Sequence, residues 1–396
     1  MRDGMRSVRH LMDPAYADRQ WNEVFDPAAT FDPEKVALML VTDPFEPDDC
    51  TPEHVREAAI ASLRDGTAAH YSSPIGEREL RAEIAEKVAR VNGLTVDPAR
   101  NITVAPGADP LISFCARPFI EPGAGHEILV PAQSFNTNVE VGPLTGGVTV
   151  PVPTYEEDGY ELRIEEFERR LTPRTKLIVI TNPNNPTTTV YSRRTLEQLA
   201  DFATANDLVV LSDQVFEETV FDGCEMTDIA SLPGMAERTI LICSLSKGMG
   251  LCGYRIGYAV ASDEITHVLR GCVPYTFGAP NTAAQAAAVA ALREPQFVEG
   301  YRREYMARAE AVCAMFDTVP GLTYTRPQSG YFLWINVSAY GSGAEVSEYL
   351  LREAAVLVGG MGDHIRLVYG AFADRRRCLD AVRRVVEALQ RHPVNG

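Results

Sequence analysis

From about residue 100 onward, short β-rich apolar runs alternate with segments whose apolar positions recur at helical spacing. The runs EILV (127–130), KLIVIT (176–181), LVVLSD (208–213), TILICSL (239–245) and RIGYAVA (255–261) predict strands. Between them, SRRTLEQLADFATAND (192–207) carries Leu196, Leu199 and Phe202 on one helical face. Such alternation predicts an α/β fold with a mostly parallel sheet covered by helices. Earlier, TPEHVREAAIASLRDG (51–66) reads as a helix capped by Thr51, with Pro52 in its first turn and its end near Gly66. After about residue 294 the pattern changes to a long helix, a strand around YFLWINV (331–337), a helix, a strand IRLVYG (365–370) and a last helix. That predicts a smaller α+β domain. The expected division is an N-terminal segment (1–50) joining the small domain, a large domain (51–294) and a small C-terminal domain (295–396).

Composition narrows the function classes. A chain of 396 residues with 45% hydrophobic content can bury a sizeable core. Its formal net charge of −17, from 54 acidic against 37 basic residues, works against nucleic acid or an anionic membrane as partner. Small molecules are expected instead, and an anionic ligand would need a local cluster of donors. The eight cysteines are scattered with no CxxC pair, which suggests neither a metal site nor a disulfide framework. The first residues lack a signal-like apolar stretch, and VALMLV (36–41) is too short to span a bilayer, so a cytoplasmic protein is expected.

The most informative segment is SLSKGMGLCGYRIG (244–257), where a lysine follows a strand and two serines, with an arginine eight residues later. For a cofactor bearing an aldehyde and a phosphate, Lys247 can form the Schiff base while Ser244, Ser246 and Arg255 bind phosphate oxygens. Taken alone, the lysine and arginine could simply end a strand and face water. GMGLCG (248–253) also matches the dinucleotide fingerprint G-x-G-x-x-G, but that motif must open a helix, and the residues after it are β-like. In LVVLSDQVFEE, Asp213 ends a strand; it could cap the next helix, or pair with a pyridine nitrogen and keep it protonated. NPNNPTTTV (182–190) is a rigid turn in which Asn185 could present a fixed amide to a ring oxygen and a substrate carboxylate.

Taken in order and spacing, NPNNPT, SDQVFE and SLSK…GYRIG resemble the class I/II pyridoxal-phosphate (PLP)-dependent aminotransferases, of fold type I, over about residues 38–390. The resemblance implies PLP as cofactor, an α-amino acid as substrate and a homodimer. It implies further roles as well. Tyr71 would reach the partner's phosphate across the dimer, with Gly76 following in HYSSPIG. Gly107, Ala108 and Asp109 would form the phosphate turn, Phe135 would stack on the pyridine ring, and Arg366 would bind the substrate α-carboxylate, with Thr42 beside the substrate. His70, His364 and Tyr275 could shape the pocket or be plain structure.

Four departures fall beside the cofactor position. Phe216 stands where the family usually has a tyrosine donating to the ring oxygen, which predicts an imine that holds its proton to higher pH. Thr188 and Thr42 replace usual glycines. Asp109 replaces a neutral residue, so its carboxylate must point away from the phosphate or be paired. The run AAVLVGGMGDHIRL before Arg366 is short, which predicts a more open site. The expected activity is transamination. The alternative is β- or γ-elimination or replacement, or decarboxylation coupled to deamination, on a specialised amino acid using the same Lys247 and Asp213.

Overall fold

The computed structural model describes residues 31–392 except Pro33. The part of the expected N-terminal segment before residue 31, and the last four residues, lie outside the described residues. The strands are β1 (Ala37–Leu38), β2 (Ile102–Ala105), β3 (Glu127–Pro131), β4 (Val148–Val152), β5 (Thr175–Thr181), β6 (Val209–Asp213), β7 (Thr239–Ser244), β8 (Gly257–Val260), β9 (Thr323–Tyr324), β10 (Phe332–Asn336), β11 (Val356–Leu357), β12 (Gly359–Met361) and β13 (His364–Val368). The helices of eight residues or more are α1 (Glu53–Arg64), α2 (Arg78–Val91), α3 (Asp109–Ala116), α4 (Arg193–Ala205), α5 (Asp263–Thr276), α6 (Thr282–Arg293), α7 (Gln296–Phe316), α8 (Gly343–Ala354) and α9 (Arg375–Arg391).

Seven strands form the large sheet in the order β2-β8-β7-β6-β5-β3-β4. The ladders β3/β4, β3/β5, β5/β6 and β6/β7 are parallel, and β8 runs antiparallel to both of its neighbours. Strands β2, β3, β7 and β8 are buried along their whole length, because helices cover both faces. One apolar cluster packs Leu111, Ile112 and Cys115 of α3 against Val179, Leu211 and Ile242. Another packs Leu196, Leu199 and Phe202 of α4 against Ile178, Ile180 and Val210. Helix α4 begins as its sequence predicts, with the Ser192 hydroxyl accepting from the Thr195 amide at 3.2 Å.

The direction of β8 fixes the position of the site. In a parallel sheet the loops after the carboxyl ends of the strands share one edge. The antiparallel β8 brings its amino end, and with it Arg255, to that same edge. The register pairs Gly257 with both Ala105 and Ser244, and Asp213 with Thr181.

The second sheet, β12-β13-β10-β9, is antiparallel, and its apolar face packs with α7, α8 and α9. The run before Arg366 folds as the β12–β13 hairpin. Strand β1 pairs in parallel with β11. Phe216, from the loop after β6, belongs to the same buried cluster as Tyr331 and Phe332, so the two sheets meet at the site. Among the described residues, no helix is long and apolar enough to cross a membrane.

One local expectation resolves differently, and one is met. Helix α1 is capped by Pro52, whose φ of −58° suits a helix start, while Thr51 caps nothing: its carbonyl accepts from Arg56 Nη2 at 2.8 Å and its amide donates to Asp49 Oδ1 at 2.8 Å. Within GMGLCG and just after it there is only a short 3₁₀ turn, Cys252–Tyr254, leading into β8. No helix opens within that fingerprint to receive a pyrophosphate, which removes the dinucleotide reading.

Candidate active site

Thr42, Ala108, Asp109, Phe135, Asn185, Asp213, Ser244, Ser246, Lys247 and Arg255 line one pocket at the carboxyl edge of the large sheet, joined by Val215 and Phe216. The serine and arginine side are held by backbone demands. Ser244 Oγ donates to Ser246 Oγ at 2.8 Å and also accepts from the Ser246 amide at 3.1 Å, which curls the chain after β7. Arg255 adopts a left-handed φ of +53° and donates to the Cys252 carbonyl at 2.9 Å. Gly107, at φ +95°, lies under the guanidinium; a Cβ there would sit 2.9 Å from Arg255 Cζ. A Cβ on Gly257 would sit 2.7 Å from the Ala108 amide nitrogen. Two missing side chains therefore let the 107–108 turn, the start of α3 and Arg255 close around one concavity. Pro110 has no N–H and the Leu111 amide donates to the Ala108 carbonyl at 2.9 Å, so the amides of Ala108 and Asp109 are the ones left for a small anion in this cradle.

Lys247 Nζ donates to the Thr42 carbonyl at 2.7 Å, with Thr42 Oγ1 at 3.5 Å and Cys252 Sγ at 3.8 Å. The Tyr331 hydroxyl donates to the same carbonyl at 3.0 Å. Burial pushes the Cys252 thiol up to about 11, although Lys247 pulls it down. The thiol thus stays protonated and donates to the Ser246 carbonyl at 3.1 Å.

Asp213 is only 3% exposed. Burial pushes its carboxyl up to about 7; neighbouring Asp109 pushes the same way, while the Val215 amide (3.3 Å), the Thr181 hydroxyl (3.3 Å) and Lys247 oppose it. A carboxylate so buried requires a cationic partner. A protonated pyridine nitrogen would serve.

Arg366 donates from Nη1 to Asn185 Oδ1 at 2.8 Å and from Nη2 to the Leu40 carbonyl at 3.2 Å. Its Nε is buried without a partner among the described residues. Burial lowers its pKa to about 10, against a raising effect from Tyr331. This is a guanidinium short of an anion. Because Asn185 Oδ1 is taken, the Asn185 amide nitrogen remains as the donor toward the pocket.

Phe216 is buried, with its ring edge-on to Tyr331 (5.9 Å) and Phe332 (5.3 Å), and it brings no hydroxyl to the pocket. Thr188 is buried in a left-handed conformation, φ +62°, that glycine adopts without strain, and its hydroxyl donates to the Thr187 carbonyl at 2.6 Å. Tyr71 is not in the pocket; it is 97% exposed. Tyr275 is also exposed, and His364 stacks on Trp334 with ring centroids 4.7 Å apart.

Four pocket neighbours escape sequence reasoning. Asn138 Nδ2 donates to Thr181 Oγ1 at 2.7 Å, and Thr181 in turn donates to Asp213, a two-residue support for the carboxylate. Tyr331 and Cys252 flank Lys247 as described. Their sequence contexts are those of ordinary core residues; only the chain's path brings them to the lysine.

The residues present fit PLP: a cradle for its phosphate, a buried carboxylate for its ring nitrogen, a lysine for its aldehyde and a half-exposed Phe135 on the pocket wall.

Comparison with known proteins agrees. Residues 43–385 match the family model of aminotransferase class I and II. The chain is 36% identical to aromatic-amino-acid aminotransferase 2 of Thermococcus litoralis, over 86% of this chain and 90% of that one. It is 34% identical to an aspartate aminotransferase of Pyrococcus abyssi, again over 86% and 90%. Its fold matches the aspartate aminotransferase of Thermus thermophilus with maleate at a TM-score of 0.87 and 29% identity, covering 98% of this chain and all of that one.

Proposed function

Because this chain belongs to the class I and II aminotransferases, and so is a PLP-dependent transferase acting on amino acids, we propose that Lys247, Asp213, Asn185, Arg255 and Arg366 divide the chemistry among them. The observation that carries this is the convergence of a lysine amine, a buried carboxylate and an anion cradle on one pocket, with the under-satisfied arginine joined to it through Asn185.

PLP, when bound, supplies an aldehyde for imine exchange and a ring that accepts the electrons released at the substrate α-carbon. Arg255, Ser244, Ser246 and the amides opening α3 hold the phosphate. Asp213, supported by Thr181 and Asn138, holds the proton on the ring nitrogen. Arg366 takes the substrate α-carboxylate, a charge-assisted contact of about 1.5–3 kcal/mol. The Asn185 amide nitrogen is the neighbouring donor. Lys247 Nζ, once free, moves the α-proton, and the Thr42 carbonyl is its resting acceptor (2.7 Å).

The enzyme works as a homodimer in the cytoplasm, in amino-acid metabolism. The dimer is supported by Tyr71, an aromatic side chain left 97% exposed beside the loop that opens α6, where Thr282 Oγ1 donates to the His70 carbonyl at 3.0 Å. The location is supported by eight cysteines that are all free thiols. The named relatives act on different side chains, aromatic and aspartate.

The test is a half-reaction. Holoenzyme mixed with single amino acids, without any keto acid, is expected to convert stoichiometrically to the pyridoxamine phosphate form and release one keto acid per site. Ammonia or an eliminated group released over many turnovers would contradict transamination.

A further inference from the structure

Asp109 meets neither condition that a carboxylate beside a phosphate should meet. Although it is exposed to solvent, it does not leave the site: it lines the same pocket as Ala108, Ser244, Ser246 and Arg255. It is not paired either: among the described residues it makes no salt bridge, and the hydrogen bond described for Arg255 goes to the Cys252 carbonyl. It also stands in the first turn of α3, Asp109–Ala116, whose amino end is part of the cradle. An aspartate there interacts favourably with the helix dipole, and so would a phosphate, so two anions compete for one positive end. The nearby side-chain charges balance, with Lys247 and Arg255 against Asp109 and Asp213, and the whole chain carries −17. Its charge also adds to the upward push that burial exerts on the Asp213 carboxyl.

We propose that Asp109 opposes the phosphate of the chain's own cofactor, so that this enzyme grips PLP less tightly than its cradle geometry alone would allow and exchanges it with cofactor in solution. The inference rests on the PLP reading above. The effect belongs to the phosphate end, so it discriminates between phosphorylated and unphosphorylated forms of the vitamin: Asp109 penalises PLP and leaves pyridoxal nearly untouched.

The experiment titrates apoprotein of the wild type, Asp109→Asn and Asp109→Ser with PLP, and separately with pyridoxal, by fluorescence quenching or equilibrium dialysis. Asparagine and serine both suit a helix start, so the variants keep α3. The PLP dissociation constant is expected to fall about tenfold in both variants, the effect of one charge removed from a partly hydrated site. The pyridoxal constant is expected to change less than about threefold. Unchanged or weaker PLP binding in the variants, beside a wild type that binds, would overturn this inference alone. Equal tightening for PLP and pyridoxal would also overturn it, by placing the effect at the ring end. A wild-type apoprotein that takes up no PLP would overturn the functional reading and this inference with it.

Discussion

Replacing Asp213 with asparagine should change stability with opposite signs in the empty and the loaded protein. The carboxyl is almost fully buried, and burial with Asp109 nearby pushes its pKa from 3.8 up to about 7. A folded-state value above the unfolded one means that the native state holds the proton more tightly. The cost is therefore absent below about pH 4, grows as pH rises through the interval, and is complete above about 7. At 1.36 kcal/mol per pKa unit, the ionised carboxylate destabilises the apoprotein by roughly 4 kcal/mol at pH 8. Asparagine keeps the shape and removes the charge. Urea unfolding of the apo variant should show it more stable than wild type at pH 8, by up to that amount, with more than half of the advantage gone at pH 5. With PLP added the order should reverse, because the wild-type carboxylate gains a cationic partner that the amide cannot replace, so the cofactor stabilises wild type more. An apo variant no more stable than wild type at pH 8, or an advantage that does not depend on pH, would refute the account of Asp213.

Three other changes probe other walls of the pocket. Arg366→Lys removes the fork that matches a carboxylate; kcat/KM for the substrate amino acid should fall roughly 10- to 100-fold, mostly through KM in steady-state kinetics, and an unchanged KM would speak against Arg366 as the carboxylate site. Phe216→Tyr offers the missing hydroxyl, so a pH titration of the visible cofactor band should show its transition about 1–2 units lower than in wild type, the equivalent of one hydrogen bond to an ionised oxygen. Gly257→Ala places a methyl 2.7 Å from the Ala108 amide nitrogen, so gel filtration should strip PLP from the variant while wild type retains it, and thermal unfolding should show about 1–3 kcal/mol lost.

The large sheet was legible because its strands are unbroken apolar runs; KLIVIT and TILICSL appear within a residue of their observed ends. The chemistry along its edge was legible for a related reason. Asp213 ends such a run and Asn185 and Lys247 follow one, and a parallel sheet collects those positions on one side. What sequence could not show depends on contacts between distant segments. Nothing around Tyr331 marks it as a neighbour of Lys247, since they meet only through the carbonyl of Thr42. Asn138 reaches Asp213 only through Thr181, which the β5/β6 register sets opposite the carboxylate. The expected Thr51 cap missed by one position because serine- and threonine-type capping competes with the preset φ of proline, and at Pro52 the ring prevailed. Asp109 was visible as an oddity in the sequence, but only the fold shows that it lines the phosphate end of the pocket.

The central claim is that the ε-amine of Lys247 carries the cofactor. Borohydride reduction of the freshly isolated holoenzyme, followed by proteolysis and mass spectrometry, should place one pyridoxyl group on the peptide containing Lys247 and on no other lysine. A fully reduced protein with an unmodified Lys247 would contradict the account at its root.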